Sequence, residues 1–416
     1  MDRKKQFFRL REMLAQVLET NAFYKQKFTN VGISHPNDIQ TIADYQKLPF
    51  TTKDELSNDQ VSNPPYGTNL TFPLEEYTCL HQTSGTTGSP LRWLDTKASW
   101  DWWGKCWRDI YSAAGVTSAD RFMIAFSFGP FIGFWSAYHG AQQLGALTIA
   151  NGGLSSEQRI RAILSNDVTV VICTPTYALR LVEVAEQEGV DLNRDSCVRV
   201  TIHAGEPGAS LSATKQRIED GWGARAYDHA GATEVGAWGV MCRPQAGVHL
   251  NEDEFICEVL DTETDKPSDE GELVITNLGR IGMPVIRYRT GDYVRLKSGK
   301  CECGSPHRVL EGGVLGRIDD AIIVRGLNVY PATIENIIMK FPDVNEFAVR
   351  AYRTETLDEL EVQIESTNKN PADTTVAVSN AIRNALGLRT IVKFVPRGSL
   401  PRYELKSKRF TDERNL

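Results

Sequence analysis

The chain has no apolar run long enough to cross a bilayer. Its longest, FMIAFSFGPFIGFW at 122–135, falls short of the ~20 residues a spanning helix needs and is broken by Gly129-Pro130. There is no basic excess either: 46 Lys and Arg stand against 53 Asp and Glu, a net charge of −7. That balance excludes a general nucleic-acid binder, which needs cations to hold a phosphate backbone. No GxxxxGK[ST] stretch is present, so Walker-type phosphate binding is not implied. Internal repeats and low-complexity segments are also lacking. The opening MDRKKQFFRLREML is interrupted by Arg9, Arg11 and Glu12 and does not read as a signal peptide. Instead Phe7, Leu10, Leu14 and Val17 recur at helical spacing and predict an amphipathic helix. Eight cysteines in 416 residues predict reduced thiols and a cytoplasmic location. Four of them (Cys79, Cys106, Cys173 and Cys197) stand alone in apolar or helical contexts and read as small core residues.

With 41% hydrophobic and 24% charged residues, the composition is that of a soluble globular protein. Its length predicts two or more domains. From residue 121 short apolar runs (RFMIAFS, ALTIANG, VTVVICT, VRVTIHAG) alternate with helical segments such as SEQRIRAILSN and YALRLVEVAEQEG. Strands alternating with helices predict an α/β fold with a mostly parallel sheet. Between residues 242 and 315 the chain turns strand-rich, predicting an antiparallel subdomain. A compact α+β unit follows, and the boundary is set at GRIDD, giving domains 1–316 and 317–416.

Five stretches carry chemistry. TSGTTGSP at 83–90 cannot pack a core, but it can wrap an anion: Gly85 and Gly88 free backbone N–H groups, while Thr83, Ser84, Thr86 and Thr87 add hydroxyls. A flexible surface loop has the same composition. In AYDHAGATEVG at 226–236, Thr233 and Glu234 follow a glycine turn, where Glu234 can ligate Mg²⁺ beside a phosphate or be a solvated loop acid. In RYRTGDY at 287–293, Asp292 can accept from both hydroxyls of a ribose or cap its own turn. GRIDDAIIVRGLNVYPATIE at 316–335 places Arg317 and two acids at the domain joint, and LPRYELKSKRF at 400–410 contains Lys406.

Together these residues resemble the adenylate-forming superfamily and, within it, the phenylacetate–CoA ligase family. The likeness extends to FYKQKF, LPFTTKDEL (48–56), TPTYAL (174–179), AGEPG (204–208), GVHLNEDEF (247–255) and PVIRYRTGD (284–292). It implies ATP-dependent activation of a carboxylic acid as acyl-AMP with release of pyrophosphate, followed by displacement of AMP by a thiol, usually coenzyme A. The fold it implies is a large N-terminal domain with a small mobile C-terminal lid. By the same resemblance the 83–90 loop would hold the β- and γ-phosphates and Thr233 the α-phosphate, with Glu234 on Mg²⁺. Gly205, Glu206 and Pro207, with Asp228, would line the nucleotide site, and Asp292 and Arg317 would bind the ribose. Lys406 would bridge the acid and the α-phosphate, Asp319 would be the hinge, and Gly326 would meet the pantetheine arm of CoA.

Some positions depart from the family pattern. Ser89 and Leu91 stand where a loop lysine is common, and Leu405 replaces a glycine before the lysine. Ala230 replaces the usual adenine-stacking tyrosine, leaving that stack missing or supplied by Tyr227 or His229. In relatives the acid lies under a glycine-rich aromatic strand end. Here that is Phe128, Gly129, Phe131, Ile132, Gly133 and Phe134, with Tyr177, Ala204, Ala230 and Gly231 nearby. Three phenylalanines without a cation point to a flat aromatic acid, or simply to core. Cys242, His249, Cys301 and Cys303 offer a structural zinc site, with His307 as an alternative ligand and unligated thiols as the bland reading. The partners expected are a small carboxylic acid and CoA or a carrier-protein thiol, without nucleic acid or membrane, and a homodimer is left open. The rival from another class is a degenerate nucleotide-binding regulator, motivated by the missing tyrosine and loop lysine. Glu234, Asp292 and Lys406 argue against it.

Overall fold

A computed structural model describes residues 3–414 except 84–89, 127, 325–326, 355–356 and 405. The predicted parallel sheet is present. Five strands lie in the order Leu147–Ile149, Arg121–Ile124, Val170–Cys173, Val200–His203 and Arg225–Asp228, all parallel. The first four are shorter than their apolar runs, because the chain turns into a loop or helix as soon as it leaves the sheet edge, and Arg225–Asp228 is a fifth strand that no such run announced. Val170–Cys173 and Val200–His203 are buried at every position, as a strand covered on both faces must be.

Helices Lys97–Ala113 and Ile132–Leu144 cover one face of this sheet. Ser156–Ser165, Pro175–Gln187 and Ser212–Trp222 pack with the other, giving two separate cores. The strand-rich region forms a six-stranded antiparallel sheet running from Gly239–Met241 through Val309–Arg317 to Phe255–Leu260. Against it packs the opening helix Arg3–Thr20, whose Phe7, Leu10, Leu14 and Val17 are buried with Ile256, Leu278 and Ile286.

Beyond Arg317 the chain builds its own core. Ile334, Ile338, Phe347, Val362, Val378 and Ile382 are buried between a four-stranded sheet and the helices Pro331–Ile338 and Pro371–Leu386. The sheet order is Ile391–Phe394, Leu357–Ser366, Val344–Thr354 and Phe410–Asp412. No described helix is long and apolar enough to cross a membrane.

Candidate active site

The segments that follow the parallel strands, 125–126 with 128–131, 174–177, 204–208 and 229–231, all leave the same edge of the sheet. This carboxyl edge is where open α/β sheets place their ligands. Gly205 turns there with φ +96°, a left-handed conformation that disfavours a side chain, and a Cβ on it would lie 3.2 Å from Lys406 Cε. The tail of the chain is therefore docked into the cleft.

Lys406 keeps some solvent contact in the cleft, with protein packed around the rest of it. Loss of hydration lowers its pKa below the ordinary lysine value, against the opposing fields of Glu206, Glu234 and Asp292. The neighbouring residue anchors the segment. Ser407 donates its amide to Glu206 Oε2 at 2.8 Å and its hydroxyl to the same oxygen at 3.1 Å, while Glu206 Oε1 accepts from Thr176 N at 3.0 Å. The Glu206 carboxylate, expected to line a nucleotide site, is thus occupied by the lysine-bearing segment, because the docked tail supplies two donors where solvent would otherwise be.

Thr233 and Glu234 sit in the turn of a short hairpin, Gly231–Ala232 with Gly236–Ala237. Glu234 is 8% exposed, and its described ion-pair partner is Lys53 at 3.9 Å, too long for a hydrogen bond. A carboxylate so placed has capacity left for a cation. Lys53 itself is fixed by its surroundings. Thr51 N donates to Arg287 O and Arg289 N to Thr51 O, both at 2.9 Å, and Thr52 with Glu55 caps the helix Lys53–Ser62. No motif in the sequence marks a role for this lysine. Its signal was a capping box that opens a helix beside RYRTGD.

Asp292 and Arg317 face each other in the antiparallel sheet, 3.5 Å apart. Burial pushes the Asp292 carboxyl up to about 6, while Arg317 and the Thr290 hydroxyl pull the other way. Arg317 also grips Asp319, with Nε and Nη2 on its two carboxylate oxygens at 2.9 and 3.0 Å. Asp228 is buried and accepts from the Ser210 hydroxyl and His229 N, and burial raises its carboxyl to about 7.

Two expectations need correction, and one open alternative is decided. Tyr177 is fully buried in the second core, where its hydroxyl accepts from Arg159 at 2.7 Å and bonds Ser156 at 2.9 Å, so it does not line the cleft. Phe134 is likewise core, stacked on Phe126 at 3.7 Å between centroids. Neither Tyr227 nor His229 replaces the missing adenine stack. Tyr227 is 2% exposed, and His229 is buried against Trp107 with Nδ1 on Gly239 O at 2.8 Å.

Phe128, Gly129, Phe131 and Gly133 keep partial exposure at the strand end, and Ala204 and Ala230 do so across from them. Gln82 N donates to Pro130 O and Trp135 Nε1 to Gly129 O, both at 2.9 Å, which fixes this loop. Pro207 is half-buried and Gly231 exposed. Thr83 closes the base of the Gly/Ser/Thr-rich loop through Thr83 N to Leu91 O and Leu91 N to Thr83 Oγ1. Ser84, Gly85, Thr86, Thr87, Gly88 and Gly326 lie outside the described residues.

A second cluster lies away from this cleft. The ligand atoms of Cys242, His249, Cys301 and Cys303 all fall within 4.8 Å of one another. Cys242 Sγ is 3.6 Å from Cys301 Sγ, and Cys303 Sγ is 3.5 Å from His249 Nε2. A tetrahedral zinc site with ~2.3 Å Zn–S bonds has edges of about 3.8 Å, so the set fits. His249 turns Nδ1 to His307 O at 3.2 Å, the outer contact that leaves Nε2 free to ligate. His307 pairs instead with Asp253 at 3.3 Å, so it is not the fourth ligand.

Comparisons with known proteins point to one family. The family described as AMP-binding enzyme C-terminal domain matches residues 326–414. The phenylacetate-coenzyme A ligase of Pseudomonas putida is 31% identical over 99% of this chain and 94% of its own length. Among solved structures, 2-hydroxyisobutyryl-CoA ligase in its postadenylation state with an acyl-AMP superposes with a TM-score of 0.92. It is 26% identical, covering 98% of this chain and 89% of that one. The same ligase in its thioesterification state with CoA reaches only 0.74, at 27% identity over 99% and 90%.

Proposed function

Because this chain belongs to the phenylacetate–CoA ligase family of adenylate-forming enzymes, we propose how its own residues divide the two half-reactions and which acid it takes. The enzyme is an AMP-forming acid–CoA ligase: it converts a carboxylic acid and ATP to acyl-AMP and pyrophosphate, then passes the acyl group to the CoA thiol with release of AMP.

In the first half-reaction the acid carboxylate attacks the α-phosphate, and two anions must be brought together. Lys406 supplies the positive charge between them, held protonated by the fields of Glu206, Glu234 and Asp292 against the loss of hydration that lowers its pKa. Thr233 donates to the α-phosphate. Asp292 accepts from the ribose hydroxyls with Arg317 beside it. The 83–90 loop and Lys53 take the β- and γ-phosphates. Glu234 would hold Mg²⁺, which when bound neutralises the triphosphate charge. Positioning and neutralisation are all this step requires, because a carboxylate is already a competent nucleophile.

The second half-reaction needs the tail withdrawn and CoA admitted. We assign the swing to the joint at Asp319 and the boundary to residue 317, and the pantetheine approach to Gly326. The higher similarity to the postadenylation state than to the thioesterification state supports a tail-docked arrangement here.

The acid is an aryl or arylacetic acid, seated against Phe128 and Phe131 under the glycines 129 and 133. The partly exposed rings, with no described cation among them, support an apolar, flat side chain. The Cys242–His249–Cys301–Cys303 cluster is a structural zinc site tying two loops of the antiparallel sheet. The observation that carries the whole reading is Lys406 held at Gly205 amid Glu206, Glu234 and Asp292. A pyrophosphate-release screen over benzoates, phenylacetates and aliphatic acids, with and without CoA, tests it. Turnover with aryl acids, and AMP release completed by CoA, is expected; turnover with aliphatic acids alone overturns the acid assignment.

A further inference from the structure

We infer that Arg280 is a positioning residue for adenylation: it fixes the turn carrying Thr233 and Glu234 and ties that turn to the strand leaving the Gly/Ser/Thr-rich loop. The inference rests on the assignment of Glu234 to Mg²⁺ above.

Arg280 and Asp95 are both completely buried. Their side chains meet fork to fork, Nε to Oδ1 at 2.7 Å and Nη2 to Oδ2 at 2.6 Å. The remaining nitrogen reaches the catalytic turn, with Nη1 donating to Thr233 O at 2.6 Å and to Glu234 O at 3.3 Å. The rings of Trp93 and Trp103 flank the guanidinium, 5.0 and 5.4 Å from its carbon. Asp95 belongs to Arg92–Thr96, which pairs with Tyr77–Gln82, and the 83–90 loop joins these two strands. One cation therefore links the Thr233–Glu234 turn to the strand that follows the 83–90 loop.

Stability alone is a poor reason for this arrangement. A buried ion pair is often no better than hydrophobic residues of the same volume, and the surroundings here, Trp93, Trp103 and Leu94, are already apolar. What an apolar replacement cannot do is donate to two consecutive carbonyls. The hairpin around Thr233 has only two residues per strand, so its turn carbonyls lack ladder partners of their own, and Nη1 supplies the donor. Fixing both carbonyls fixes the peptide planes on either side of Glu234 Cα, and so the direction in which its carboxylate leaves the backbone. Lysine carries the same charge but has no planar fork to serve Asp95 and the turn together.

The test compares Arg280→Lys with wild type in both half-reactions. In ATP–pyrophosphate exchange the substitution is expected to raise the Mg²⁺ concentration for half-maximal rate about tenfold and lower the limiting rate tenfold or more. Thiolysis of a supplied acyl-adenylate by CoA, which uses no β- or γ-phosphate, is expected to stay within twofold and serves to count folded enzyme. Asp95→Asn, which keeps the shape of the fork, is expected to shift the same two quantities in the same direction. Equal losses in both half-reactions, or an unchanged Mg²⁺ dependence, overturn the inference. Glu234→Gln distinguishes the two levels of the argument. A shifted Mg²⁺ dependence in Glu234→Gln with none in Arg280→Lys overturns the positioning role alone, whereas no shift in either overturns the Glu234 assignment as well.

Discussion

Ser407 gives both its amide and its hydroxyl to a single carboxylate oxygen of Glu206, at 2.8 and 3.1 Å, across 201 residues of sequence. The contact couples the tail to the turn that also positions Gly205. Hydrogen bonds to a charged acceptor contribute about 1.5–3 kcal/mol, which is about tenfold to a hundredfold in a docking equilibrium. Glu206→Ala should therefore slow pyrophosphate exchange by roughly tenfold or more while leaving thiolysis of a supplied acyl-adenylate intact. Rapid-quench measurement of each half-reaction checks this, and parallel loss of both would remove the anchoring role.

Asp292 should give the enzyme a pH dependence on the acid side. Its carboxyl titrates at about 6 because burial penalises the charged form. Above that pH it is ionised and would accept from both ribose hydroxyls in the proposed role; below it, a proton would take one acceptor position. Affinity for ATP should then fall towards tenfold per pH unit below about 6. Asp292→Asn should bind ATP weakly throughout and show a flatter profile in this range. Calorimetric titration with ATP at pH 5 to 8 reads both.

Lys53 lies 3.9 Å from Glu234 with its side chain 46% exposed, so the pair adds little to stability. Its proposed use is the triphosphate. Lys53→Ala should raise KM for Mg·ATP about tenfold with the melting temperature within about 2 °C of wild type. A large loss of stability with unchanged KM would assign Lys53 to the fold instead.

Purified enzyme should carry one zinc per chain, measured by elemental analysis. The double substitution Cys301→Ser and Cys303→Ser should remove it and lower the melting temperature by about 5 °C or more, since a structural zinc contributes its binding energy to folding. Folded, zinc-free wild type of equal stability would show the thiols to be unligated.

Several parts of this architecture were legible because they are local. Four of the five parallel strands announced themselves as short apolar runs, and Gly205, Asp292 and Lys406 lie in short polar motifs that no core would accept. What was misread followed from chemistry weighed without periodicity. Tyr177 recurs with Leu181 and Val184 on one helix face, and Phe134 with Ala137 and Ala141 on another, so both turn into the core. Arg280 and Asp95, 185 residues apart, could not be paired from sequence at all. Each reads as an ordinary surface charge until the fold buries both. The anchoring of the tail by Glu206 was hidden for the same reason, since nothing local shows that Ser407 returns to it.

The decisive measurement is the partition of activity in Lys406→Ala between the two half-reactions. Removing a charge placed on the developing transition state should slow pyrophosphate exchange by about a hundredfold to a thousandfold. Conversion of a supplied aryl-adenylate to the CoA thioester should stay within a few-fold of wild type. If exchange persists, or if both steps fall by the same factor, the docked lysine is not what drives adenylation.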